Sequence, residues 1–122
     1  MSFLRVSQAT SALFFFLFLG LFFVPNLFLW FFQVEGDVGA EFFIQRAAFL
    51  FLGFGVMLFS ARYASPSSAR SAIANGITVS MFGLVIYGVL SCLTGTAGGG
   101  TLIAVLVEVL VALGFMSVRD RA

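Results

Sequence analysis

Apolar residues gather in four runs, about 7–24, 41–61, 71–93 and 101–118, separated by short polar stretches. Each run is near the length of about 20 residues that a helix needs to cross a hydrocarbon core of about 30 Å. Apolarity after the first run continues through 27–32. One helix over 7–32 would be about 39 Å long at 1.5 Å per residue, which is too long for a straight crossing. Pro25 offers the break, because it removes a backbone donor and disfavours helical angles at Val24. The expectation is a first span ending near Val24 and an interfacial segment over 26–32, where Trp30 suits the headgroup region. A single long, kinked, tilted helix is the alternative. Polar punctuation follows at QVEGDVGA (33–40), RYASPSSAR (62–70) and TGTAGGG (94–100), and the chain closes on Arg119-Asp120-Arg121. The predicted fold is all-α: a polytopic membrane protein, with a four-transmembrane-helix bundle as the single domain over 1–122.

Composition agrees. Of 122 residues, 61% are hydrophobic and 9% charged, against about 45–50% and 25% in soluble domains. The absence of His and the single Cys exclude the common His/Cys metal sites, His-ligated haem and an intrachain disulfide. Intramembrane hydrolysis would need a nucleophile with a base or a metal, and the spans supply neither. No catalytic residue, metal or cofactor is expected. Arg5 ahead of an apolar run imitates a signal peptide, but no small-x-small site follows, so the run reads as a retained span.

Four spans place Arg5, Arg62, Arg70, Arg119 and Arg121 on one side and Glu35, Asp37 and Glu41 on the other. That asymmetry predicts both termini in the cytoplasm. Arg46 and Glu108 remain inside apolar runs. Counted from the outer helix ends at 1.5 Å per residue, Arg46 lies about 7 Å deep, and Glu108 and Tyr87 each about 10 Å. Gln45 is beside Arg46. The expectation is an intramembrane polar cluster of Arg46, Glu108, Tyr87 and Gln45. Facing agrees if small residues mark close helix approach: Thr101, Ala104, Glu108 and Ala112 share one face, Gly76, Ser80, Gly83, Tyr87 and Ser91 another, and Arg46 and Gly53 a third. Three readings stay open: a structural ion-pair clasp, a ligand or ion site, and an Arg46 that snorkels to the headgroups. Gly98-Gly99-Gly100 lacks any P-loop context and reads as a flexible turn. Cys92 reads as a packing residue, the Phe-rich first span as a lipid-facing or partner-binding surface, and the loop arginines as topology signals with some anionic-lipid contact.

Pro25 after a first span, Gln45-Arg46-Ala47-Ala48 leading into Phe51-Leu52-Gly53-Phe54-Gly55, the Ser-Ala-Arg and Ala-Arg-Ser-Ala steps around the second loop, and Val107-Glu108-Val109 form a pattern. It resembles the DoxX-like group of small four-span bacterial membrane proteins, including uncharacterised relatives. The resemblance implies a four-helix bundle in a bacterial inner membrane, acting as an accessory subunit, in some cases near quinone-dependent redox systems.

Two functions follow as expectations. One is an accessory, interaction or assembly subunit of a larger membrane complex, with a membrane-protein partner or a homo-oligomer in the lipid bilayer and no nucleic acid. The other is a binding protein or carrier for a lipophilic or weakly anionic small molecule such as a quinone, with Arg46 and Tyr87 as donors and Glu108 as acceptor. Small dual-topology multidrug exporters resemble the chain in length, but they carry their carboxylate in the first helix, where this chain has no acid, and the arginine bias fixes one orientation.

Overall fold

The computed structural model describes residues 2–119; Asp120 and Arg121, which belong to the charge pattern of the sequence, lie outside them. Five helices follow in order: α1 Phe3–Phe23, α2 Pro25–Phe32, α3 Val38–Ser60, α4 Ser68–Leu93 and α5 Thr101–Val118. The four longer ones, of 21, 23, 26 and 18 residues, are long and apolar enough to cross a membrane. The protein is a helical bundle of the multi-pass membrane type.

Pro25 divides the first apolar stretch as expected. It sits at the first position of α2, where its missing N–H costs nothing. Three helices begin earlier than the hydropathy runs because a polar residue caps each. Ser2, Asp37 and Ser67 accept backbone N–H bonds from Arg5, Ala40 and Arg70. The last of these corrects the sequence reading: Arg70 is inside α4, not in a loop.

α1 lies along α3 and α4 along α5, and the two pairs meet mainly through α1 and α5. Without a hydrophobic force between helices in lipid, close packing must do the joining. Gly55 admits the Phe15 ring at the α1–α3 contact, and Gly88 admits Val105 and Thr101 at the α4–α5 contact. Many of the buried apolar side chains gather towards one end, with Phe14, Ala48, Met81 and Ala112 buried nearer the middle of their helices. Phe3, Val6, Leu58, Ala74, Ile77, Phe115 and Val118 come from the start of α1 and α4 and the finish of α3 and α5. Phe3 meets Phe115 edge-on at 6.0 Å. Both described chain ends therefore lie at this tightly packed end.

The Phe-rich run of α1 is mostly an inner surface, contrary to the lipid-facing expectation. Phe14 is buried against Phe51 and Phe54, and Phe18 and Phe22 pack on Phe49. Phe16 and Phe23 alone of that run are largely exposed. Aromatic repeats at i, i+4 and i+8 line one helical stripe, and α3 meets it with Phe51 and Phe54 at Phe14 and with Phe49 at Phe18 and Phe22.

At the opposite end α2 folds back over the bundle. Its helix stops at Gln33, which adopts left-handed angles (φ 53°) and turns its N–H back to Leu29 and Trp30. The carbonyl of Phe32 accepts the Gly98 N–H at 2.8 Å, tying α2 to the α4–α5 turn. A Cβ at Gly98 would overlap Gln33, and one at Gly100 would overlap the Phe31 backbone carbonyl. The glycine run is thus a fitted seat for the end of α2, not merely a flexible turn.

Candidate functional site: an apolar chamber with one carboxyl

α2 roofs a cavity of about 470 Å³ between the two helix pairs. Its walls are apolar side chains from all five helices, among them Phe14, Leu17, Phe28, Phe51, Met81 and Val111. Glu108 is the one charged residue in the wall. One carboxylate oxygen, Oε2, is shielded from solvent and accepts no hydrogen bond from any described group. An unpaired polar atom in apolar surroundings costs about 1–3 kcal/mol, so the chamber holds an unmet demand for a donor.

Local sequence explains the placement. Thr101, Ala104, Glu108 and Ala112 share a face of α5, and Thr101 and Ala112 are buried. Glu108 lines the chamber from this face of α5. A lesser groove of about 210 Å³ runs between α1 and α5 and shares Leu13, Val107 and Val111 with the chamber.

The other three members of the expected cluster are elsewhere. Arg46 faces outward from α3, with its guanidinium 5.8 Å from the Phe42 ring centre, and forms no ion pair with Glu108. α3 and α5 belong to different helix pairs, and matched depth does not make them neighbours. Tyr87 is 69% exposed on the outer face of α4. Gly76, Ser80 and Gly83 are on that same outward face, where a Cβ at either glycine meets nothing within 4 Å. The buried line of α4 is instead Ala74, Ile77, Met81, Gly88 and Ser91. Gln45 acts locally, its Nε2–H donating to the Phe22 carbonyl at 3.0 Å. That carbonyl ends α1 beside the Pro25 break, where helical partners run out. No described group of three or more His, Cys, Asp or Glu could hold a metal ion.

Sequence reasoning missed Arg70. It is 4% exposed, donates from Nη1 to the Ala64 carbonyl (3.2 Å) and from Nη2 to the Val118 carbonyl (3.0 Å), and lies 4.3 Å from the Phe3 ring centre. It joins α4, the loop after α3, the C-terminal end of α5 and α1. The clasp expected from Arg46 and Glu108 is built here, from a cation and backbone carbonyls. The one available signal was Ser67 three residues earlier, whose cap draws Arg70 into the helix.

Comparison of the chain with protein-family models, with curated proteins and with solved structures finds no match.

Proposed function

We propose that the protein binds a lipophilic molecule in the chamber and holds a hydroxyl or amine donor of that molecule against Glu108. The observation that carries this reading is the solvent-shielded, unpartnered Oε2 of Glu108 in a wall that is otherwise apolar. The volume falls in the range of about 300–1,000 Å³ typical of small-molecule sites. With Arg46 turned outward, the weakly anionic ligand loses its support and a donor-bearing ligand gains it. A short-chain quinol is a suitable probe, because its hydroxyls donate and the matching quinone has none. The quinol should bind about fivefold more tightly than the quinone, the ratio for one net hydrogen bond of about 1 kcal/mol. Glu108→Leu should erase the preference, and Ala104→Phe, which fills the chamber, should abolish binding of both. Equal binding of the two probes by the wild type, or a preference that survives Glu108→Leu, would refute the assignment.

A second reading, an accessory subunit, is favoured by the outward face of α4. A phenol at the depth of Tyr87, beside the small residues Gly76, Ser80 and Gly83, suits a facing helix better than lipid. We propose a membrane-protein partner or a second copy there, and membership of the DoxX-like group on the sequence pattern around Pro25, Arg46 and Glu108. Photocrosslinking from position 80 in cells should give a discrete adduct, and lipid adducts alone would reject this reading. The arginine asymmetry supports an orientation with both termini in the cytoplasm, and a bacterial inner membrane rests on the resemblance alone. Reporter fusions at the C-terminus and in the 94–100 turn test that orientation.

A further inference from the structure

The tightly packed end carries a second cavity, of about 230 Å³, lined by Ser2, Phe3, Leu4, Arg62, Tyr63, Ala64 and Arg70. We propose that it is a binding site for a phosphate group, supplied by the headgroup of an anionic phospholipid at the membrane surface.

Charge is the first ground. Arg62 and Arg70 both line the cavity, and neither pairs with a carboxylate among the described residues. Arg70 is 4% exposed, and its Nε finds no partner. The C-terminal carbonyls of α5 offset only about half a charge, so among the described residues two guanidinium groups remain largely uncompensated. Glu35, Asp37 and Glu41 belong to the α2–α3 connection and the start of α3, at the far end of the bundle.

Backbone polarity is the second ground. Ser2 caps α1, so the N-terminal turn of that helix, with Phe3 and Leu4, contributes to the cavity wall. Helix N-termini present free N–H groups and about half a positive charge, which suits a phosphate. The third ground is position. Arg62 stacks on Phe59 and Tyr63, at 3.7 and 4.7 Å from their ring centres. Tyr63 is 72% exposed, just beyond the end of α3, where interfacial aromatics and headgroups meet. The site is remote from the Glu108 chamber and does not depend on its reading.

Delipidated protein in neutral detergent, titrated with equal amounts of phosphatidylglycerol and phosphatidylcholine and read by native mass spectrometry, tests the site. The wild type should retain phosphatidylglycerol over phosphatidylcholine, whose own choline neutralises its phosphate. Arg62→Gln should lower that preference about fivefold, the value of one basic residue at an anionic surface, and Arg62→Lys should keep most of it. Arg5→Gln removes a cation at the same end but outside the cavity, and should leave the preference intact. Inorganic phosphate at millimolar concentration is the parallel arm. Its binding to lipid-free wild type, lost in Arg62→Gln, would keep the phosphate site but assign it a soluble source. No preference between the lipids and no phosphate binding would overturn the proposal. So would equal losses in Arg5→Gln and Arg62→Gln, which would mean a diffuse basic surface.

Discussion

Arg70→Met is the most informative single perturbation of the fold. Methionine retains the reach of the side chain and removes its charge and donors. The Ala64 and Val118 carbonyls then lose the donors that now reach them at 3.2 and 3.0 Å. Hydrogen bonds involving a charged group contribute about 1.5–3 kcal/mol each, and a desolvated cation–π contact with Phe3 adds about 0.5–2 kcal/mol. Against this stands the relief of no longer burying a cation, which is several kcal/mol in real proteins. Removing one member of a buried charged network nonetheless destabilises, by about 3–5 kcal/mol. We take about 3 kcal/mol as the net expectation, because backbone carbonyls stripped of a donor strand no opposite charge. That corresponds to a rise of roughly a hundredfold in the unfolded fraction, at 1.4 kcal/mol per factor of ten. Arg70→Lys should lose about half as much, since an ammonium can serve one carbonyl but lacks the planar fork that reaches two. Unfolding in mixed micelles can be followed by circular dichroism and by maleimide labelling of Cys92. This is the sole cysteine of the chain, half-buried at the other end of α4 with its Sγ 3.5 Å from the Gly98 carbonyl. Both probes should shift together if the clasp stabilises the whole bundle. An Arg70→Met variant within about 0.5 kcal/mol of wild type, the usual range of surface changes, would refute the clasp and leave Arg70 a topology signal only.

Two further outcomes concern glycines, and a third concerns the charges within the spans. Gly100→Ala places a Cβ against the Phe31 backbone carbonyl, which cannot rotate away, and should cost about 1–3 kcal/mol as an overpacking change; faster labelling of Cys92 would report the loosened turn. Gly83→Ala, on the open face of α4, should instead be neutral or stabilising by up to about 1 kcal/mol, from helix propensity alone. The charge exchange Arg46→Glu with Glu108→Arg should show no mutual rescue, the double variant being as unstable as the sum of the singles. A coupling above about 0.5 kcal/mol would restore the ion pair that the two helix pairs keep apart.

Much of the fold was legible because membrane spans are set by length and hydropathy, which are local properties. Pro25 marked the break between α1 and α2, and the spacing of Thr101, Ala104, Glu108 and Ala112 put Glu108 on the face of α5 that lines the chamber. What failed was lateral adjacency. Depth along a helix can be counted from its end, so Arg46 and Glu108 fell in one layer, yet nothing in the chain says that α3 pairs with α1 and α5 with α4. α4 also offers two small-residue stripes. Gly88 and Ser91 lie on the line with Ala74, while Gly76, Ser80 and Gly83 lie on another, and the choice between them rests on Val105 of α5 fitting the space at Gly88. That fit is a property of two helices together and cannot be read from either.

The same asymmetry of packing explains why the chamber exists. Large buried residues such as Phe3, Phe115, Leu58 and Ile77 fill the end that Arg70 clasps, and they draw the two helix pairs together there. Towards the other end, α4 meets α5 through Gly88, and α1 meets α3 through its phenylalanine stripe. Phe14, Leu17 and Phe51 from one pair and Met81 and Val111 from the other line the space between without closing it. A bundle of four long helices would leave that gap open to headgroups and water. α2 covers it, held by the Gly98–Phe32 bond, while Gln45 satisfies the Phe22 carbonyl just ahead of the Pro25 break. The break at Pro25 is thus what lets α2 fold over the cavity, and Glu108 is the one charged residue in its wall.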